Sequence, residues 1–248
     1  MFWLEMTWTE LSALDREKTV VLLPMGAIEA HGPHLPLGTD GILAEAMVRR
    51  TCELLPEHGY QGLILPTQHW TFAGFAQDFP GTLSFASNGL EGWLRQLTAQ
   101  LALQGFRLLG VANAHLDPGH LAGLETGLQG APLKVAFPNL TRGRYARRLS
   151  QEFQSGACHA GCFESSLVLS QRPDLVRQHI AAQLPDVEAS LVEAIARGDR
   201  SFAQAGGPQA YFGSPRRSTA MEGEASLAEL AQILLEAILS AASDTPTA

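Results

Sequence analysis

Carboxylate and imidazole side chains, which are common ligands of divalent metal ions, are concentrated in two short segments of the sequence. Glu29 and His31 flank one small residue, so in an extended segment both side chains point the same way. His115 and Asp117 repeat this spacing later in the chain, and Asp40 follows a turn rich in proline and glycine. Mixed imidazole and carboxylate ligands are typical of Zn and Mn sites and are compatible with Fe, whereas a chain with three cysteines is a poor candidate for an iron–sulfur site.

The number of candidate ligands indicates more than one metal ion. A catalytic zinc usually keeps three protein ligands and an open position, and five candidates exceed that number. Two ions that share a bridging carboxylate would accommodate all five, would lower the pKa of a bound water and would polarise the carbonyl group under attack. Each residue alone also has a structural interpretation: Asp40 can cap a helix, and a single histidine is more often a surface or core residue than a ligand.

A third cluster lies between Cys158 and Glu164, just before a predicted helix. We interpret His159, which is flanked by small residues, as a mobile general acid or base. Glu164 either orients His159 or is a first-turn carboxylate favoured by the helix dipole. Cys158, His159 and Cys162 also suggest a zinc knuckle, but a fourth nearby ligand of the right type is missing.

The elements that must position these residues follow from short apolar runs that alternate with amphipathic segments. Strands are predicted at residues 19–24, 62–66, 107–112 and 133–137. Helices are predicted at about 40–55, 90–104, 119–129, 163–169, 186–197 and 222–242, with the final six residues frayed. The pattern predicts a three-layer α/β/α sandwich with a mostly parallel central sheet, forming a single domain over residues 1–248. Ligands of such sheets bind beyond the carboxyl ends of the strands, where the candidate residues follow the first and third strands.

Composition restricts the partners and the compartment. The net charge of −8 argues against nucleic acid or an anionic membrane as the main partner and favours a small neutral or cationic ligand. The N-terminus does not resemble a secretory signal, and we find no apolar run of the length that spans a bilayer. The three cysteines fit a reducing compartment. We therefore expect a cytoplasmic protein that acts on a small molecule.

Several of these segments resemble the creatininase family, also called the creatinine amidohydrolase superfamily. The longest match is residues 26–40, which contain Glu-x-His-Gly-Pro-x-Leu-Pro-Leu-Gly-Thr-Asp. Further matching segments follow in the expected order at residues 78–82, 113–117, 159–167, 213–215 and 219–223. The matches run through most of the chain.

The resemblance implies a two-metal amidohydrolase that cleaves a non-peptide amide C–N bond with a water held between the ions. Its ligands would be Glu29 and His115 for one ion and His31 and Asp117 for the other, with Asp40 bridging both. His159 would pass the proton to the leaving nitrogen. The resemblance also implies a homohexamer built as a trimer of dimers.

The chain departs from the family pattern in two places. After the third strand the family usually shows Asn-Gly-His, followed by Gly or an aromatic residue, then Gly or Glu, then Asn. This chain instead has Ala114 before the histidine and Leu116, Asp117 and Pro118 after it. Asp117 keeps a carboxylate that is one methylene shorter than Glu. Ser155 and Gly156 stand where creatininases carry the Trp and Asp that clasp the creatinine ring, which argues against creatinine as the substrate.

The leading prediction is a two-metal amidohydrolase acting on a small cyclic amide, a formamide or a related C–N substrate. One alternative is a peptidase-like family member that trims a small modified peptide, and another is a metal-binding protein without catalysis. The presence of His159 favours catalysis. Substrate-binding residues are predicted at Phe75, Leu116 and Ser155, with Trp70, Phe72 and Phe212 nearby.

Overall fold

The computed structural model describes residues 1–244. Within them lie four strands: β1 (Thr19–Met25), β2 (Gln61–Ile64), β3 (Leu108–Asn113) and β4 (Lys134–Ala136). The α-helices are α1 (Trp8–Ser12), α2 (Thr39–Leu54), α3 (Ser87–Leu103), α4 (Pro118–Leu128), α5 (Gly143–Ala146), α6 (Gln151–Ser155), α7 (Cys162–Gln171), α8 (Gln178–Ala181), α9 (Leu191–Arg197) and α10 (Ala220–Ser243). Short 3₁₀ helices occur at Trp3–Glu5, Leu55–His58, Pro173–Leu175 and Pro215–Arg217. The fraying predicted for the last six residues falls mainly on residues 245–248, outside the described ones.

The four strands form one parallel sheet in the order β2-β1-β3-β4. β1 and β3 are direct neighbours, and their last residues, Met25 and Asn113, are paired. Every residue of β1 and β3 is buried, as expected for central strands covered on both faces. The loops that leave β1 and β3 therefore emerge side by side at one edge of the sheet.

Helices cover both faces of the sheet, which confirms the predicted α/β/α sandwich. Successive residues of β1 alternate between two cores, with Leu22 in one and Leu23 in the other. The first core is completed by α2, α7 and α10, and the second by α3 and α4. The sandwich places the loops of one sheet edge between these layers.

Among the described helices, α10 alone is long and apolar enough to cross a membrane, with a mean hydropathy of 1.5 over its most apolar window. Of that window, 44% is buried inside the protein, where α10 packs on α7, α2 and the sheet. The contact with α7 is close at Gly223, because a Cβ atom there would collide with the carbonyl group of Ser166. Packing in the core accounts for the apolar character of α10.

One predicted helix begins later than its sequence pattern indicated. A helix was predicted at 186–197, whereas α9 starts at Leu191 because the Ser190 side chain caps it by accepting a hydrogen bond from the Glu193 N–H. α9 belongs to a third apolar cluster that includes Phe202 and Phe212. This cluster contacts the edge of the sheet where β1 and β3 end, since it also contains Ala30.

Candidate active site

The side chains singled out by their spacing converge beyond the carboxyl ends of β1 and β3. Glu29 and His31 follow β1, Asp40 lies in the first turn of α2, and His115 follows β3. Gly26 permits the approach of α2, because a Cβ at this position would lie 2.7 Å from the carbonyl carbon of Asp40. The topology of neighbouring parallel strands thus brings the two halves of the cluster together.

The centre of the cluster is the Asp40 carboxylate, which faces two imidazole rings. Its Oδ1 lies 3.0 Å from His31 Nε2, and its Oδ2 lies 3.2 Å from His115 Nδ1. Glu29 Oε1 lies 3.1 Å from His115 Nδ1. On the other side, Glu164 Oε2 lies 3.7 Å from His31 Nε2. Asp40 therefore stands between two sets of ligand atoms, in the position of a bridging carboxylate.

Three histidine rings are oriented by hydrogen bonds to backbone carbonyl groups. His31 donates from Nδ1 to the Glu29 carbonyl (3.1 Å), His115 from Nε2 to the Phe72 carbonyl (2.9 Å), and His159 from Nε2 to the Ala30 carbonyl (2.9 Å). Because a carbonyl oxygen only accepts, the proton sits on that nitrogen and the other nitrogen faces the carboxylates. Such hydrogen bonds orient metal-binding histidines in proteins.

The chemistry of the cluster fits divalent cations. Glu29, Asp40 and Glu164 are almost fully buried, and their ion pairs in the described structure involve histidines rather than Lys or Arg. Glu29 Oε2 and Asp40 Oδ2 have no hydrogen-bond partner there. Buried carboxylates without compensation are strongly unfavourable, and metal ions commonly provide that compensation.

The ligand atoms fall into overlapping groups whose members lie within 4.8 Å of one another. Two of these groups share Asp40: one consists of Glu29, Asp40 and His115, and the other of His31, Asp40 and Glu164. A further group is Glu29, His31 and His159. The described residues therefore contain buried groups able to bind two metal ions around one shared carboxylate.

Asp117 is oriented away from these groups. It caps α4, with Oδ1 accepting from the Gly119 N–H (2.8 Å) and Oδ2 accepting from the Phe75 N–H (3.1 Å). The place beside His31 that the family resemblance gave to Asp117 holds Glu164 instead. The assignment of Asp117 as a metal ligand stays a prediction that this geometry does not support.

Glu164 meets one of its two sequence-based interpretations, that of a first-turn carboxylate, but it also faces the metal cluster. It lies in the first turn of α7, and its Oε2 accepts from the Ala160 N–H at 2.6 Å. Ala160 has a positive φ of 51°, which turns this N–H towards the carboxylate. Glu164 does not hydrogen-bond to His159, whose ring is held by the Ala30 carbonyl. It faces His31 and the cluster.

His159 lies at the edge of the cluster with Nδ1 3.8 Å from Glu29 Oε1. Its ring stacks on Phe202 at a centroid distance of 4.2 Å and an interplanar angle of 26°. Burial, together with repulsion from His31, holds the pKa of His159 well below its usual value. The ring is therefore neutral, and the lone pair of Nδ1 faces the cluster.

In the absence of a metal, the buried carboxylates and imidazole rings of the cluster shift one another's pKa values. Burial alone would lower the pKa of His31, but attraction by Asp40, Glu164 and Glu29 outweighs it and raises the pKa to about 10. The same competition between burial and neighbouring carboxylates raises the pKa of His115. Burial raises the pKa of Glu164 to about 8. Metal ions would displace the protons that these groups hold.

A buried chain of hydrogen bonds holds the backbone of His115. The sequence analysis did not predict it. The Asn113 side chain donates to the His115 carbonyl (2.6 Å) and accepts from His120 Nε2 (2.7 Å), while His120 Nδ1 accepts from the Thr71 hydroxyl (2.5 Å). Burial lowers the pKa of His120 well below its usual value, so its ring is neutral. These contacts fix the backbone of the loop after β3.

A cavity of about 290 Å³ opens from the cluster. Of the predicted substrate-binding residues, Phe75 and Leu116 line it, whereas Ser155 is exposed at the end of α6 and donates to the Glu152 carbonyl. Trp70, Phe72 and Phe212 do not line it either. Phe202 and three residues of α9 also line the cavity, and the sequence analysis did not predict them because only the tertiary fold brings them to the site. The three residues of α9 are Leu191, Val192 and Ile195.

Comparison with known proteins decides the family. The Creatininase family model, described as creatinine amidohydrolase, matches residues 4–238. The chain belongs to the creatininase family. This confirms the resemblance seen in the sequence, and the protein is a hydrolase of that family.

Among creatininase-family relatives, a creatinine amidohydrolase of Pseudomonas putida is 28% identical over 189 residues, which cover 69% of this chain and 72% of the relative. A mycofactocin precursor peptide peptidase of Mycobacterium ulcerans (strain Agy99) is 30% identical over 217 residues, covering 85% of this chain and 80% of the relative. A solved structure described as creatininase Mn superposes with a TM-score of 0.71 at 25% identity, covering 98% of this chain and 99% of the other. Both kinds of relative are hydrolases, but their named substrates differ.

Proposed function

We propose that this protein is a cytoplasmic two-metal amidohydrolase that cleaves an amide C–N bond, other than a peptide bond, in a small substrate. The observation that carries the proposal is the Asp40 carboxylate, which faces the free ring nitrogens of His31 and His115 at 3.0 and 3.2 Å. Each imidazole is fixed by a backbone carbonyl in the tautomer that a metal ion needs.

The ligand sets follow from the grouping of the side chains. Glu29, Asp40 and His115 would hold one ion, and His31, Asp40 and Glu164 the other. The nitrogen and oxygen ligands suit Zn or Mn, and Fe is compatible with them. When bound, two such ions supply a water that ionises near neutral pH and polarise the substrate carbonyl.

The protein itself would manage the proton and the shape of the site. His159 Nδ1 faces the cluster, and the ring is anchored through Nε2, so this nitrogen can take a proton and deliver it to the leaving nitrogen of the substrate. Asp117 holds the Phe75 backbone at the wall of the cavity. Phe75 and Leu116 would contact the substrate.

A peptidase activity is the second candidate. The mycobacterial relatives that match this chain are named mycofactocin precursor peptide peptidases, and one of them aligns with 85% of the chain. A cavity of about 290 Å³ fits a small molecule or the end of a peptide rather than a folded protein. Creatinine is disfavoured, since Ser155 and Gly156 provide neither an aromatic face nor a carboxylate.

The test is turnover by metal-loaded protein of a panel of lactams, formamides, creatinine and short peptides. The proposal expects metal-dependent hydrolysis of at least one lactam or formamide, with creatinine and peptides poorer. Preferential cleavage of peptides would establish the second candidate, and metal binding without turnover of any amide would support a non-catalytic protein.

On resemblance alone we also propose a homohexamer, which sedimentation equilibrium would test.

A further inference from the structure

Beyond the metal cluster, the wall of the cavity is mainly apolar. Thr141 and Gln154 also line it, but their side-chain donors already bond to the Asn139 side chain and to the Leu149 carbonyl. The apolar side chains of the wall come from the loops after β2 and β3, from α6 and from the segment around α9: Phe75, Leu116, Phe153, Leu191, Ile195 and Phe202. Apart from His115, whose ring would be neutral as a metal ligand, the charged residues that line it are acidic: Glu29, Asp40, Asp117 and Glu164. Within the described part of the chain, no Lys or Arg lines this cavity.

The carboxylates that line the cavity offset the positive charge of two bound divalent ions, so the cavity offers no net positive charge to an anionic substrate. Both Asp117 oxygens are already engaged with backbone N–H groups, and the other three carboxylates belong to the metal ligand sets. Four carboxylates balance the charge of two divalent ions. A carboxylate on the non-reacting part of a substrate would therefore be buried against an apolar wall without a partner, which is strongly unfavourable.

The aromatic part of the wall is adjacent to the proposed proton donor. Phe202 stacks on His159, and its backbone N–H donates to the Phe75 carbonyl at 2.9 Å. The Phe75 N–H in turn donates to Asp117, and the Phe75 and Phe202 rings are 5.9 Å apart. This aromatic pair is held in place from both sides. A group attached to the nitrogen that receives a proton from His159 would pack against it.

We infer that the substrate is an uncharged amide whose leaving nitrogen carries an apolar, preferably aromatic, group and no carboxylate. The inference rests on the proposed function, because it takes the metal cluster as the place of the reacting carbonyl. It separates this protein from an enzyme that recognises the free carboxyl end of a peptide, since such recognition usually uses a cation or converging N–H donors at the cavity wall.

The mouth of the cavity offers a site where this specificity can be changed. Val192 lines the cavity from α9 and is 62% exposed, so a long side chain there has access to water. Val192→Arg would add a cation at the entrance without touching the metal ligands. Val192→Gln is the matched control, because it adds a long polar side chain without charge.

The test uses metal-loaded protein and two ligands that differ in one carboxylate, formanilide and 4-formamidobenzoate. Calorimetric binding is the first readout and turnover the second. We expect formanilide to bind at least about tenfold more tightly to the wild type, and we expect Val192→Arg, unlike Val192→Gln, to reduce that ratio by about tenfold.

Equal or tighter binding of 4-formamidobenzoate by the wild type would overturn the inference, as would failure of both ligands to bind. Tight, selective binding of formanilide without hydrolysis of any amide would uphold the inference about the ligand and refute the proposed catalysis. The two failures are therefore distinguishable.

Discussion

Substitution of Glu164 and of Asp117 distinguishes the ligand set seen in the structure from the one implied by family resemblance. Glu164→Gln keeps the size of the side chain and an oxygen that can accept from the Ala160 N–H, but removes the charge that faces His31. Asp117→Asn makes the matching change at the residue that caps α4. Glu236→Gln, a change on the outer surface of α10, is the control.

The expected magnitudes follow from the contacts. Loss of a residue that only supports a ligand costs about 10–100-fold in metal affinity, so loss of a direct ligand at Glu164 should weaken the second ion by more than about 100-fold, or about 2.7 kcal/mol. Asp117→Asn should leave both ions bound and keep the cap on α4, because Asn caps a helix about as well as Asp. Its amide nitrogen cannot accept from the Phe75 N–H, so the free energy of unfolding should fall by about 1 kcal/mol, the usual contribution of one hydrogen bond.

The assay is metal content per chain at graded free Zn or Mn, set by a chelator buffer, together with thermal unfolding of the metal-free proteins. Burial raises the pKa of Glu164 to about 8, which is above the pKa of this group in the unfolded chain. Between these two pKa values the unfolded chain loses the proton more readily than the folded protein, so the stability of the metal-free fold decreases as the pH rises through this range. Glu164→Gln should therefore raise the melting temperature of the metal-free protein at pH 7 while it lowers metal affinity. Loss of one ion from Asp117→Asn, with both retained by Glu164→Gln, would refute the structural assignment.

Three further outcomes are expected. Asp40→Ala should reduce occupancy at both metal positions, because its two oxygens face His31 and His115; elemental analysis showing loss of only one ion would contradict a bridging role. His159→Ala should keep the metal content and lower kcat by about two to four orders of magnitude, whereas loss of an ion would show that the ring is a ligand. The raised pKa values of His31 and His115 keep both rings protonated in the metal-free protein at neutral pH, so metal binding should release protons and metal affinity should increase as the pH rises. Metal binding without proton release in a weakly buffered solution would rule this out.

The sequence predicted the strands and the sheet edge well because their signals are local. β1 and β3 are continuous apolar runs, and parallel neighbours release their loops at the same edge. The alternation of Glu29 and His31 also predicted side chains that meet. These residues lie in the irregular segment directly after β1, and their side chains lie on the same side of it, with His31 Nε2 3.9 Å from Glu29 Oε1.

The same spacing argument misjudged the surroundings of Asp117. It assumes an extended chain, but Pro118 and Gly119 begin α4 directly afterwards, and Asp117 turns to cap that helix. Glu164 enters the cluster through the packing of α7 against α2 and α10, a tertiary contact that leaves no periodic signal in the sequence. Ser155 faces solvent because α6 ends there.

The number of divalent ions bound by the purified protein tests the central claim most directly. Elemental analysis after metal loading and removal of free ions should give a value close to two per chain, since the two ligand groups share only Asp40. Removal of the ions with a chelator should abolish amide hydrolysis, and re-addition of Zn or Mn should restore it. One ion or none per chain under these conditions, or hydrolysis that persists without metal, would contradict the two-metal site.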